Sequence, residues 1–90
     1  MNIDFQKLII QKHVIDSSSH DKSKKLSVAY GVDRNFLFGS GISMTSVLVN
    51  NPDIDIHFYI ATDYIDEDYL ECVKRLTQMY STTVTVLVFD

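Results

Sequence analysis

The stretch Leu26-Ser27-Val28-Ala29-Tyr30-Gly31-Val32-Asp33-Arg34-Asn35-Phe36-Leu37-Phe38-Gly39 changes its hydrophobic period partway, and that change decides the fold. Leu26 to Tyr30 is short and semi-apolar, and Gly31 follows it. This reads as a strand whose near-continuous apolarity suggests burial on both faces, as in a parallel sheet. Gly31-Val32-Asp33-Arg34-Asn35 reads as a turn. A helix is predicted from Phe36 to Asn50. In it Leu37, Gly41, Met44 and Leu48 recur at i, i+4, i+7 and i+11. Phe38, Ile42, Thr45 and Val49 form the adjacent row, and together the two rows make a wide apolar stripe. Gly39, Ser43 and Ser46 form a small-residue row that would let a neighbour approach closely. Pro52 ends the helix, because its ring cannot continue one and restricts the residue before it.

Outward from this stretch the pattern repeats. Ile54, Ile56, Phe58 and Ile60 alternate, and Ala61-Thr62 close a second strand. Thr62 or Asp63 is the expected cap of a second helix. Asp66, Glu67 and Asp68 crowd its first turn, where negative charge complements the helix dipole. Tyr69, Val73, Leu76 and Tyr80 give it a core face, and Glu71 and Arg75 face each other one turn apart. Val84, Val86 and Val88 then alternate in a β-branched third strand. The order β-α-β-α-β with connections of this length predicts an α/β fold with a parallel sheet and right-handed crossovers. The first strand should lie beside the second or third. The third strand would leave Thr83–Phe89 as an uncovered apolar edge.

Residues 1–25 read as an N-terminal segment and flexible linker, ahead of an ordered part over 26–90. Leu8-Ile9-Ile10 and Val14-Ile15 fit either short strands or one helix. Asp16 to Lys25 is Ser- and Lys-rich, the composition of a linker.

Composition narrows the function classes. The 90 residues allow one domain at most. Apolar residues make up 46% and charged residues 22%, values of a globular chain and not a disordered one. The net charge of −4 opposes nucleic-acid binding, which needs clustered Lys and Arg; Lys22, Lys24 and Lys25 lie close together and leave room for a local basic patch. Cys72 is the single cysteine, which suits a cytoplasmic chain without disulfides. No apolar run approaches the roughly 20 residues of a membrane span.

Ligands of parallel sheets bind beyond the carboxyl ends of the strands, which directs attention to Gly31–Phe36. Asp33 and Asn35 fit two readings. Both residue types cap helices, and both can bind the polar edge of a nucleobase or a ribose. Phe36 offers a flat face on which a base could stack. Gly39-Ser40-Gly41 lacks the third glycine of a dinucleotide fingerprint and sits inside the helix, so it reads as packing. Asp53-Ile54-Asp55 and Asp66-Glu67-Asp68 resemble Asp-x-Asp metal elements. The first precedes a strand at the wrong edge, and the second falls in a helix first turn where acids belong. His57, between apolar strand residues, reads as a structural histidine.

From Val28 to Gly39, through Ile42-Ser43-Met44-Thr45-Ser46-Val47-Leu48-Val49-Asn50-Asn51-Pro52-Asp53, and on to Tyr80, the chain resembles family 8 glycosyltransferases. It is most similar to the hexosyltransferases of the lipopolysaccharide outer core. The resemblance implies the N-terminal, Rossmann-like part of a GT-A fold. It also implies a UDP-glucose or UDP-galactose donor, a lipopolysaccharide core acceptor, a divalent cation (Mn²⁺ or Mg²⁺), and transfer with retention at the anomeric carbon. It implies polar uridine contacts at Asp33 and Asn35, stacking on Phe36, and a backbone lining from Gly31 and Val32. Family members are considerably longer, and their metal-binding Asp-x-Asp follows a later strand. The expectation is therefore an incomplete, N-terminal donor-binding part with no metal ligand or catalytic residue of its own, working in the cytoplasm at the inner face of the membrane. Two rivals remain: an inactive relic that binds a nucleotide or a partner, and a receiver-type regulatory domain, for which Asp90 is thin support.

Overall fold

The alternation of Ile54, Ile56, Phe58 and Ile60 builds the central strand. In the computed structural model, which describes residues 9–19 and 21–89, this strand is β3 (Ile54–Thr62). Ile56, Phe58 and Ile60 are fully buried on one side of it. Around it lie β1 (Ile9–Asp16), β2 (Lys24–Val32), a 3-10 turn (Arg34–Phe36), α1 (Leu37–Asn50), α2 (Glu67–Tyr80) and β4 (Thr83–Phe89). The sheet runs in the order β1-β4-β3-β2. β2, β3 and β4 are parallel, so the β-α-β-α-β reading holds for Lys24–Phe89. Each crossover moves one strand along in the same direction, and both helices pack on the same face of the sheet. There Leu37, Met44, Leu48, Tyr69 and Val73 meet Phe58, Ile60, Val84, Val86 and Val88 in one core.

One open reading is settled and several expectations are corrected. Ile9–Asp16 is a strand that pairs antiparallel with β4, His13 opposite Val86 and Ile15 opposite Val84. The edge Thr83–Phe89 is therefore covered, and the sheet is mixed. The polar stretch after β1 is held at several points. Ser17 N–H donates to Thr82 O at 3.1 Å, Ser18 Oγ–H to Asp55 Oδ1 at 2.9 Å, and Lys22 Nζ to Pro52 O at 2.7 Å. The strand expected at Leu26–Tyr30 is β2. It lies at the sheet edge and is not buried on both faces: Lys24 to Ser27 are exposed, Leu26 to 46%. Leu8, Asp90 and residue 20 of the expected linker lie outside the described residues.

The helices depart from expectation in one row and one cap. On α1 the row Leu37, Met44 and Leu48 is buried together with Ser40, whereas Phe38, Ile42 and Val49 face outward. Of the small-residue row, Ser43 meets the Tyr30 hydroxyl at 2.9 Å, whereas a Cβ added at Gly39 would meet nothing within 4 Å. α2 is capped by Asp66, whose Oδ1 accepts from Tyr69 N–H at 2.8 Å, and not by Thr62 or Asp63. Thr62 instead closes the turn after β3, its Oγ1 accepting from Tyr64 N–H at 3.3 Å and donating to Tyr64 O at 3.0 Å. Among the described residues no helix is long and apolar enough to cross a membrane.

Candidate functional site

β2 delivers its carboxyl end at Val32, beside Thr62 of β3 in register. Asp33 then leaves the strand with extended backbone (φ −99°, ψ −179°) and caps the 3-10 turn. Its Oδ1 accepts from Asn35 N–H at 3.0 Å, and its carbonyl accepts from Phe36 N–H at 3.1 Å. Capping is thus one established role of Asp33. It uses one carboxylate oxygen, and Oδ2 has no protein partner among the described residues. Asn35 is exposed, as is the ring of Phe36 at 64%. The turn can expose Phe36 because the next residue, Leu37, is the anchor that sinks into the core at 2% exposure.

Beside the turn is an open hollow of about 430 Å³ between β2 and α1. Gly31, Val32, Asp33 and Phe36 line it, with Gly39 and Ser40 from the first turns of α1. Of the residues singled out from the sequence, Asn35 is the one that shares the turn without lining the hollow. Neither Gly31 nor Gly39 has positive φ, and a Cβ at either would stand in open space. Backbone conformation therefore does not require glycine here; its contribution is the volume left empty. The floor is tied down by hydroxyl pairs. Tyr30 Oη lies 2.9 Å from Ser43 Oγ, and buried Ser40 Oγ lies 2.8 Å from Tyr69 Oη. Burial pushes the Tyr69 phenol above its ordinary value, against the opposing pull of the Ser40 hydrogen bond and with a smaller push from Cys72.

One contact at this edge has no signature in the sequence. The Arg34 guanidinium lies over the Tyr64 ring, 4.6 Å from its centroid. Arg34 belongs to the turn after β2, and Tyr64 to the loop after β3. Only the parallel pairing of β2 with β3 brings the two loops together, and local sequence spacing carries no signal for that.

The acidic pairs lie elsewhere or are otherwise engaged. Asp55 sits at the opposite edge of the sheet, bonded to Ser18, and Asp66 caps α2. Among the described residues no group of three or more His, Cys, Asp or Glu side chains gathers to hold a metal ion. The described residues therefore do not offer the donor set of a divalent-cation site. His57 Nε2 lies 2.7 Å from Thr85 Oγ1 and its ring stacks on Tyr59 at 4.1 Å, an arrangement of sheet structure.

Known proteins are similar to this chain in sequence. The profile of Glycosyl transferase family 8 matches residues 27–90. A lipopolysaccharide 1,3-galactosyltransferase of Salmonella typhimurium is 34% identical over 96% of this chain and 26% of its own length. A lipopolysaccharide 1,2-glucosyltransferase of Escherichia coli is 31% identical over 100% of this chain and 28% of its own length. Another of that name, from Escherichia coli K12, is 38% identical over 71% of this chain and 19% of its own length. The chain thus spans about a quarter of the length of the curated relatives it matches. No solved structure gives a significant match.

Proposed function

The chain belongs to glycosyl transferase family 8, and on that premise we propose that Gly31–Phe36 hold the uridine half of a UDP-hexose donor. The sugar is glucose or galactose, and the acceptor is the growing lipopolysaccharide core. One observation carries this reading. An exposed Phe36 ring and an Asp33 carboxylate with one oxygen to spare stand together at the rim of a glycine-walled hollow, on the carboxyl edge of a parallel sheet. The ring suits stacking on the base, and the carboxylate suits accepting a hydrogen bond from the uracil imide N–H or a ribose hydroxyl. Asn35 adds a donor and an acceptor on the same turn. The backbone of Gly31 and Val32 forms the wall.

In this reading the described residues bind and orient the donor, and none of them makes or breaks the glycosidic bond. A divalent cation would neutralise the leaving diphosphate, held by groups other than those described. The reaction retains anomeric configuration and takes place at the cytoplasmic face of the inner membrane, where the enzyme touches the lipid surface peripherally. The rival, a module that binds uridine nucleotide without turnover, uses the same turn.

Calorimetric titration of the chain with UDP, CDP and ADP tests the pocket. UDP is expected to bind at least several-fold tighter than CDP and ADP, because the Asp33 carboxylate accepts from the imide N–H of uracil and finds no such donor on cytosine. Equal affinity for the three nucleotides, or none for any, refutes the uridine reading.

A further inference from the structure

The residues of the donor turn are tied to each other by local bonds alone: Asn35 N–H to Asp33 Oδ1 and Phe36 N–H to Asp33 O. Such i to i+2 and i to i+3 bonds fix the shape of a turn but not its place against the rest of the protein. Among the described residues, the one hydrogen bond, ion pair or ring contact that reaches from residues 33–36 to another loop is Arg34 over Tyr64 at 4.6 Å. Tyr64 is a well-fixed post. Its backbone N–H and carbonyl are both bonded to the hydroxyl of buried Thr62, and its ring packs against the core. The Arg34 guanidinium has no carboxylate within ion-pair distance among the described residues, so the aromatic face is what holds it. Arg34 stands between Asp33 and Asn35 in sequence, and holding it holds both.

We propose that Arg34 is a positioning residue for the donor turn: stacked on Tyr64, it clamps the β2–α1 turn to the β3–α2 loop and sets Asp33, Asn35 and Phe36 in the place where they receive the nucleoside. This rests on the uridine reading of the same turn. The clamp acts through the nucleoside contacts and does not touch the phosphates. Arg34→Gln and Tyr64→Leu each break it, Arg34→Lys keeps a cation over the ring, and the double variant breaks nothing further.

Two measurements on the 90-residue chain test the proposal. Without ligand, amide hydrogen exchange at Asn35 and Phe36 is expected to quicken several-fold in Arg34→Gln and Tyr64→Leu, and to return part of the way in Arg34→Lys. With ligand, Arg34→Gln is expected to weaken uridine and UDP by the same factor, about 2- to 5-fold for an exposed cation–ring contact. The double variant should lose no more than either single one. Unchanged exchange in both single variants overturns the clamp. A loss of UDP affinity with uridine affinity intact overturns it too, because Arg34 would then be a direct phosphate contact. A wild-type chain that binds neither uridine nor UDP refutes the uridine reading, and the donor-positioning role falls with it, whatever the exchange data show of the clamp as structure.

Discussion

Phe36 and Leu37 are neighbours with opposite fates, one 64% exposed and the other 2%. That contrast separates binding from stability. Phe36→Ala removes a ring the fold does not use, so stability should change by no more than about 0.5 kcal/mol. If the ring stacks on uracil, UDP binding should weaken by about 1–3 kcal/mol. A titration showing unchanged affinity in a folded variant would remove stacking from the account. Tyr69 gives the reverse case, a buried phenol beneath the site. Tyr69→Phe would lose the hydrogen bond to Ser40, at a cost of about 0.5–1.5 kcal/mol, since Ser40 still donates to Leu37 O. Burial raises the pKa of Tyr69 from 10.0, so the folded protein keeps the proton at a pH where the unfolded chain begins to lose it. The unfolded state then binds fewer protons, and stability falls as pH rises above about 10. Thermal melts across that range should show a smaller alkaline fall in Tyr69→Phe than in wild type; parallel curves would contradict the assignment. At this scale the candidate turn is legible in the sequence, because Asp33, Asn35 and Phe36 are neighbours in the chain. Arg34 on Tyr64 is not, because that pairing exists only after two loops meet.

Among the elements, the helices show why the hydrophobic pattern marks a helix more reliably than its facing side. α1 carries two apolar rows, and the pattern gives no means of choosing between them. The structure buries the row shared with Ser40 and leaves Phe38, Ile42 and Val49 outside. Ser40 and Thr77 look wrong for a core face, yet both are buried. Each hydroxyl donates to a carbonyl of its own helix, Ser40 to Leu37 and Thr77 to Lys74, so neither brings an unpaired polar group inside. Strands β3 and β4 are legible because strict alternation of β-branched and aromatic residues has few other readings. β1 is not, since Gln11-Lys12-His13 interrupts its apolar residues and only pairing with β4 decides its state. The end of α2 carries a testable cost. Ser81 adopts a left-handed conformation (φ 52°, ψ 52°) while its N–H bonds to Thr77 O. This is the position where helices favour glycine. Ser81→Gly should relieve that strain and raise stability by about 0.5–1 kcal/mol, after the extra chain entropy of glycine is deducted. Urea denaturation with an unchanged or lower midpoint would show that the conformation is not strained.

For the whole molecule, the decisive feature is that a sheet with both helices on one face has two edges to protect. β2 is one edge, with Lys24 and Lys25 exposed at its start, and β1 is the other, with exposed Gln11 and Lys12 in its middle. Charged residues on an edge strand discourage pairing with another chain. β4 is a different kind of strand. Thr83 to Val86 are all buried, and Val84, Val86 and Val88 belong to the core, so it has no charge to defend an exposed edge. A reading of residues 26–90 alone leaves that edge bare; the structure lays Ile9–Asp16 along it, with Asp16 accepting from Thr83 Oγ1 at 2.8 Å as a pin at one end. The N-terminal strand therefore acts as a cover for an uncharged, β-branched segment, and removing it should matter more than its modest burial suggests. A chain beginning at Ser18 keeps the parallel strands and both helices but uncovers Thr83–Phe89. It is expected to associate at concentrations where residues 1–90 do not, with a lower melting temperature. Sizing chromatography and thermal unfolding of the two chains, side by side over a range of concentrations, decide the matter. If the shortened chain elutes and melts as the longer one does, β1 is a passenger on the sheet and the protection of β4 has another source.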